Sequence, residues 1–453
     1  GGGVATGGAP WKVVRLGEAA GPHLAALRRA GPRGLADSSA IGRALARQLV
    51  DHGMAHPVPP PRPGPHPVTV VIPAYGRAAD LERTLAAVEG LPVIVVDDCS
   101  PDPEPLRRAA AAHGARLVRH SANRGPAAAR NTGARLAGTP FVAFVDSDCR
   151  PERGWLDVLM PYFDDPKVAA VAPRVVADGG GPGVLARYEA VRSALDMGAR
   201  QALVRPGARL GFVPTATLLV RTRVLRHVGF DERLRLGEDV DFVWRLADLG
   251  WHVRYQPQVR VAHTPRLRPS AWARRRHEYG TSAAALAQRH PGRLVPARPS
   301  AWNLAVLACL AAGHPVPAAA CAAAATALLA RRLGGLPGRW GLSAAIVGKG
   351  VLADAAALGH ALRREWWPLG LACLAAGGRR RTARAAAAAM LAPIALEWVT
   401  GRPAVDPLRY AVLRLAEDVA YGSGVTASAL RHRSWEPLLP RPRLPRLAQR
   451  PAR

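Results

Sequence analysis

The sequence predicts an α/β protein built on a mostly parallel sheet with flanking helices, preceded by a small N-terminal helical segment and followed by an Ala-rich helical region. Three observations carry this. From Val68, short β-branched runs alternate with Ala- and Leu-rich stretches: "VTVVIPAY", "DLERTLAAVEG", "PVIVVDDCS", "EPLRRAAAAHG", "ARLVRH". Strand, helix, strand, helix, strand is the pattern of right-handed crossovers in a parallel sheet, and continuous apolar runs such as "VIVV" suit strands covered on both faces. Upstream, "PVPPPRPGPHP" is stiff and extended. Beyond residue 299 the composition turns to Ala, Leu and Trp, with no charge from Pro299 to Ala330.

These shifts divide the chain into residues 1–57, a small helical module that resembles winged-helix modules, a linker at 58–67, an α/β domain at 68–298 and a C-terminal helical region at 299–453. In the first, "HLAALRRAG" and "SAIGRALARQLVDHGMAHPVPPP" predict two helices, with Ser39 as the cap of the second and Gly53 as its stop. In the last, the uncharged interval is long enough to span a bilayer. "GHPVP" at 313–317 divides it, however, and Ala is barely apolar enough to drive insertion. Amphipathic or re-entrant helices are expected. Their Arg-rich connections and the pair Trp366–Trp367 suit an anionic surface on the cytoplasmic face of a membrane.

Charge is the other global feature: 62 Lys and Arg stand against 33 Asp and Glu, a net +29, and only Lys12, Lys167 and Lys349 are lysines. So basic a chain attracts phosphates or lipid headgroups, although the same excess follows from an Arg-, Ala-, Gly- and Pro-rich composition of GC-rich coding origin. Aromatic residues make up only 5% and do not interleave with basic ones, so no nucleic-acid partner is expected. Cys99, Cys149, Cys309, Cys321 and Cys373 are odd in number and never form C-x-x-C, which argues against a disulfide framework or a zinc site and fits a reducing cytoplasm. No basic-then-apolar secretory leader is visible.

In open parallel sheets, ligands bind beyond the carboxyl ends of the strands. Pro73 and Ala74 close the first strand, Asp97 and Asp98 the second, and Asp146 and Asp148 the run "FVAFVDSD". An aspartate at a strand end also caps helices and turns, but three such motifs in sequence point to one site. Alternation predicts that Asp146 and Asp148 share a side and repel unless a counter-ion is present. Hard oxygen donors of this kind suit Mg2+ or Mn2+, which keep waters and take remaining ligands from a substrate diphosphate. Between these strands, "SANRGPAAARNTGARLAG" sets Gly125 and Pro126 at a helix start with Arg130 one turn on, an anion-binding arrangement or simply an exposed arginine on a helix. Further along, Glu238 and Asp239 stand just before the amphipathic run "VDFVWRLADLG", where they would also complement a helix dipole. His263 ends "VRVAH" and is placed to complete a metal site with two aspartates.

The ordered set "VVIPAYGRAADLERTLAAV", "VVDDCS", "NRGPAAARNTGARLAG", "FVAFVDSD", "VGFDE", "GEDVDFVWRL" and "AHTP" resembles glycosyltransferase family 2, with its Rossmann-like GT-A nucleotide-sugar fold, over about residues 68–265. More narrowly the chain is similar to the glycosyltransferases of mycofactocin biosynthesis, a likeness that takes in "LVDHGMAHPVP" and the Ala-rich tail. The resemblance implies a UDP-sugar donor, with Asp97 or Asp98 on the uracil and Pro73, Ala74 and Arg130 lining the nucleotide pocket. It implies Asp146 at the ribose or cation, Asp148 on the cation, His263 assisting there, Asp239 as general base and Glu238 positioning it. It further implies an inverting hexosyltransferase, a glucosyl donor and a peptide-derived small-molecule acceptor carrying a hydroxyl or phenol group. The Q-x-x-R-W stretch of processive polysaccharide synthases is missing, with only "VWRL" in its place. Two rivals remain at this stage: a nucleotidyltransferase, whose Gly-rich, Lys-containing phosphate loop is not visible after the first strand, and a basic membrane- or nucleic-acid-binding protein with a degenerate nucleotide domain.

Overall fold

The computed structural model describes residues 4–36, 39–178, 181–336 and 338–443. Residue contacts separate the chain into two units, one of Gly1–Gly180 with Arg192–Pro265 and one of Gly181–Val191 with Arg266–Arg453.

The first unit opens with an antiparallel hairpin, β1 (Val4–Gly7) and β2 (Lys12–Arg15), which the sequence reading passed over because each strand is only four residues long. Helices α1 (Gly21–Ala30) and α2 (Ala40–Asp51) follow. The Ser39 hydroxyl accepts from the Gly42 amide at 2.9 Å, as expected of the cap, and Gly53 turns the chain at φ 65°. Ala5, Leu16, Leu45 and Leu49 form a small core of their own.

The sheet is laid down by β3 (Val68–Ala74), α3 (Ala78–Ala87), β4 (Val93–Asp97), α4 (Glu104–Ala112), β5 (Arg116–Arg119), α5 (Pro126–Leu136), β6 (Phe141–Val145) and β7 (Cys149–Pro151). It continues through α6 (Trp155–Leu159), β8 (Val168–Ala177), β9 (Ala202–Val204), β10 (Thr217–Arg221), α8 (Thr222–His227), α9 (Glu238–Asp248) and β11 (His252–His263), with α7 (Val184–Arg192) intervening after β8. The strand order is β5-β4-β3-β6-β10-β8-β11-β7, with β9 on β11. Pairings β5-β4-β3-β6 and β8-β11 are parallel; β10 and the short strands β7 and β9 pair antiparallel. This is the mostly parallel α/β sheet with flanking helices that the alternation predicted.

The core explains the runs. Val68, Val70, Ile72, Val95, Ala143 and Val145 are wholly buried, packed with Leu81, Leu85 and Leu106 from α3 and α4. Each such Val, Ile or Leu stabilises the fold by about 1.5–3 kcal/mol. Gly133 lets α5 lie against β3, since a Cβ there would run into the Val71 side chain. That approach aims the N-terminus of α5 across the carboxyl ends of β3 and β4.

The second unit is helical: α10 (Pro269–Gly280), α11 (Ala283–Arg289), α12 (Ala301–Ala312), α13 (Pro315–Arg332), α14 (Arg339–Arg363), α15 (Trp367–Ala376), α16 (Arg381–Gly401) and α17 (Pro407–His432). Gly313 and His314 separate α12 from α13, where "GHPVP" predicted a break. Helices approach closely through glycine: a Cβ at Gly280 would meet the Tyr421 carbonyl, and one at Gly359 the Ala389 carbonyl. Its interior carries charge, with Arg276 bonded to Glu189 and Glu417, and Arg363 and Arg414 sharing Asp418. Among the described residues α14 alone is a helix long and apolar enough to cross a membrane.

Candidate active site

The carboxyl ends of β3 and β4 are stitched together by their own side chains. Asp97 is fully buried; its Oδ1 accepts from the Ser100 amide at 2.9 Å and the Ser100 hydroxyl at 2.5 Å, and its Oδ2 from Arg119. The Ser100 hydroxyl in turn accepts from the Gly76 amide at 2.8 Å, just past Pro73 and Ala74. Asp98 accepts from His120 Nδ1 at 2.8 Å, the Arg124 amide at 2.8 Å and the Gly125 amide at 2.6 Å. A carboxylate offers about four lone-pair sites, so Asp97 and Asp98, each accepting three bonds, both keep roughly one acceptor position. What looked like two free carboxylates is a clamp that shapes the loop leading into α5.

That loop is held from the other side as well. Arg235 donates to the Asn123 side-chain oxygen at 2.6 Å and to its carbonyl at 3.1 Å. Gly125 sits at φ 91°, where a Cβ would lie 3.1 Å from the Arg235 chain. Asn131 donates to the Phe230 carbonyl at 2.9 Å and accepts from the Phe230 amide at 2.9 Å. These bonds join "NRGPAAARN" to "VGFDE", two segments a hundred residues apart. Sequence reading missed Arg77, His120, Asn123 and Arg235 because each becomes meaningful only when the strands are ordered in space.

Arg130 is the centre of the site. It is 3% exposed, its Nη2 donates to Asp146 Oδ1 at 2.7 Å and its Nη1 to Glu238 Oε1 at 2.8 Å, and its guanidinium lies over the Phe230 ring at 5.8 Å. Burial works against that charge, but the two carboxylates outweigh it and drive the guanidinium upward. The expectation of an exposed arginine is thereby set aside. Phe230 stacks on Phe242 and meets Phe144 edge-on, which ties β6, α9 and the segment before α9 into one rigid block.

Glu238 and Asp239 do not precede α9 but form its first turn, after Gly237 at φ 81°. The turn explains the shift: a glycine in the left-handed region ends the preceding loop and lets the helix begin with acidic residues against its positive end. Asp239 accepts from the Val240 amide at 2.8 Å. Burial pushes its carboxyl up, and the charges of Glu238 and Asp146 add to that, against the Val240 amide and Arg130; the result is about 7. A carboxyl balanced near neutrality, on a helix N-terminus beside a buried arginine, is equipped to take a proton.

Asp146 and Asp148 part company. β6 ends at Val145, the two aspartates fall in the turn before β7, and strand alternation no longer applies. The Thr84 hydroxyl donates to the Ser147 carbonyl at 3.0 Å and fixes that turn. Asp146 goes to Arg130, whereas Asp148 Oδ2 accepts from Arg77 Nη1 at 2.6 Å and lies 3.6 Å from His263 Nε2. Antiparallel pairing of β7 with β11 sets His263 opposite Cys149 and so beside Asp148. Burial raises the Asp148 carboxyl, but the bond and charge of His263 and the charge of Arg77 prevail and bring it to about 2. It is ionised at neutral pH, while burial above all holds the Cys149 thiol protonated.

The residues fit a divalent cation in part. Asp148 and His263 supply one hard oxygen and one imidazole nitrogen within reach of a common point, and His263 Nδ1 is buried without a partner. Among the described residues no group of three His, Cys, Asp or Glu side chains converges. Of the expected trio, Asp148 and His263 lie together, whereas Asp146 is bonded to Arg130.

Comparison with known proteins decides the family. The description "Glycosyl transferase family 2" matches residues 69–228. The chain is 39% identical over 447 residues to the pre-mycofactocin glycosyltransferase of Mycobacterium tuberculosis, covering 96% of this chain and 93% of that one. The chain belongs to glycosyltransferase family 2. Glycosyltransferase AglE of Haloferax volcanii is 28% identical over 211 residues, 44% of this chain and 67% of that one. Among solved structures, the mannosyltransferase PcManGT of Pyrobaculum calidifontis, in complex with GDP-Man and Mn2+, is 25% identical over 77% of this chain and 94% of that one, with a TM-score of 0.41. In family 2 the chain is a glycosyltransferase of GT-A fold, which removes the nucleotidyltransferase and the degenerate binding protein.

Proposed function

We propose that this glycosyltransferase moves a hexose, glucose in the first instance, from a UDP-sugar to a hydroxyl or phenol group of a peptide-derived small molecule, mycofactocin or its precursor, with inversion at the anomeric carbon. The observation that carries it is the convergence of Asp146, Arg130, Glu238 and Asp239 at the strand ends, with the Asp239 carboxyl raised to about 7. Similarity to the pre-mycofactocin enzyme over nearly the whole chain supports the acceptor.

In this reading Asp239 accepts the proton of the acceptor hydroxyl as its oxygen forms a bond to C1 and the bond from C1 to the diphosphate oxygen breaks, releasing UDP. Glu238 holds Arg130 and raises Asp239, and Arg130 meets charge that grows on the leaving diphosphate. Asp146 contacts the ribose or the cation, a remaining acceptor position of Asp97 or Asp98 takes the base, and Pro73 and Ala74 wall the nucleotide. Asp148 and His263 would hold Mg2+ or Mn2+, which when bound neutralises the diphosphate. Arg77 occupies the place beside Asp148 and would yield it.

We also assign residues 1–57 to acceptor presentation and the helical region to attachment at an anionic cytoplasmic membrane surface. Large apolar side chains stand exposed along it, among them Trp340, Leu352, Leu369, Leu396 and Leu408, which supports lipid contact. A panel of nucleotide-sugars with Mn2+ and the precursor, followed by mass spectrometry, tests the assignment. UDP release with a single-hexose mass gain from UDP-glucose is expected; gain only from a GDP- or ADP-sugar, or loss of pyrophosphate, refutes it.

A further inference from the structure

A second charged cluster lies at the opposite end of β11 from His263. Nine residues separate Arg254 from His263, about 30 Å of extended strand. Arg254 is 2% exposed, yet its Nε and Nη1 have no partner and its Nη2 lies 3.5 Å from the Val50 carbonyl, too far for a firm bond. Among the described residues no carboxylate comes within ion-pair distance of it. His252 and Gln256 share its face of the strand, and His252 Nδ1 is likewise buried and unpartnered.

Neighbouring cations crowd the same place. β9 pairs with β11 so that Leu203 faces Arg254, and the chain then runs directly into Arg205, whose Nε is also buried and unpartnered. The end of α2 and the segment after it cover the cluster: Gly53 lies against Leu203, where a Cβ would be 3.2 Å from the Leu203 side chain, and Tyr162 donates to the Pro57 carbonyl at 3.2 Å. The charges of Arg254 and Arg209 act on His56 inside this cover. Of the two nearest carboxylates, Asp165 is held by Arg47 at 2.9 Å, and Asp51 by Arg47 at 2.6 Å and Lys167 at 3.1 Å, with its Oδ1 also 3.6 Å from His252 Nε2.

The contrast with Arg130 is instructive. Both guanidiniums are buried, but Arg130 has two carboxylates and is driven upward, whereas burial brings Arg254 down to about 10 and lowers Arg205. Burial, with Arg254 next, also brings His56 and His252 to about 4. Asp165 and Asp51 act on Arg254 from a distance without bonding it; a buried arginine with no directly paired carboxylate is costly, and a bound anion relieves that cost.

We infer that Arg254, Arg205 and His252, roofed by residues 50–57, form an oxyanion site that takes one carboxylate or phosphate group where the N-terminal module meets the sheet. The guanidinium fork of Arg254 matches either group. The site ties the seating of the N-terminal module to an anionic ligand remote from the sugar-transfer end.

Thermal melting and calorimetry of the full chain in anion-free buffer, titrated separately with inorganic phosphate and with acetate, test this. Wild type is expected to gain stability saturably. Arg254→Met should melt no lower than wild type without anion and gain nothing beyond what the sugar-transfer end contributes, which is common to all variants. Arg205→Ala, at a more open position, should fold and bind roughly tenfold more weakly. A gain with phosphate alone marks a phosphate site, with acetate alone a carboxylate site, and with both a general oxyanion site. Equal gains in all three proteins, or no gain in wild type, overturn the inference. If Arg254→Met does not fold, unchanged affinity in Arg205→Ala overturns it.

Discussion

At the scale of single residues, the site works through shared partners rather than isolated groups. Arg130 binds Asp146 and Glu238 at once, so the charge that would otherwise repel across the site is bridged by one guanidinium. Asp239 is left as the carboxyl without an arginine of its own, and its elevation to about 7 follows from burial and from Glu238 beside it. In the proposed reaction the carboxylate of Asp239 is the active form, so transfer should fall as pH drops below about 7 and level off above it. Glu238→Gln removes a like charge and frees Arg130, both of which favour the ionised form of Asp239. The acid limb of kcat/KM should therefore move down by about one pH unit. A limb that stays in place, or rises, would detach Asp239 from that limb.

At the scale of elements, most of what the sequence predicted came from periodicity and punctuation. The runs from Val68 to His120 became β3, α3, β4, α4 and β5 within a few residues of their expected bounds, and Gly125–Pro126 opens α5. Elements of three or four residues, such as β1 and β7, have too little pattern to be read, and β7 is what brings His263 to Asp148. The start of α9 was misread because acidic residues before an apolar run look the same whether they cap a helix or belong to its first turn. In the helical unit, alanine makes apolar and merely helix-forming stretches alike, and only the structure shows Leu352 and Leu408 left open to the outside. If these faces meet lipid, the full chain should co-float with vesicles of anionic phospholipid at low salt and retain part of that binding at high salt, through apolar contact. A chain that remains monomeric in detergent-free buffer and never floats would contradict that reading.

At the scale of the whole molecule, convergence is what no local pattern could supply. Asp98, Asp146 and Asp148 were legible as strand-end carboxylates, but their partners were not: Arg124 and Gly125 for the first, Arg130 for the second, Arg77 and His263 for the third. Each partner arrives through strand order or helix placement that spans tens to more than a hundred residues. Arg130, for which the sequence left an anion site and an exposed position open, is folded inward and bonds Asp146, one of the three expected metal ligands. The proposed reaction depends on Asp239 acting on the acceptor proton while the nucleotide is held by other groups. Its most direct test is Asp239→Asn, with UDP affinity and hexose transfer measured on the same preparation. Transfer is expected to fall by about 10³-fold or more with UDP affinity little changed; turnover near that of the wild type would remove Asp239 from the role of base.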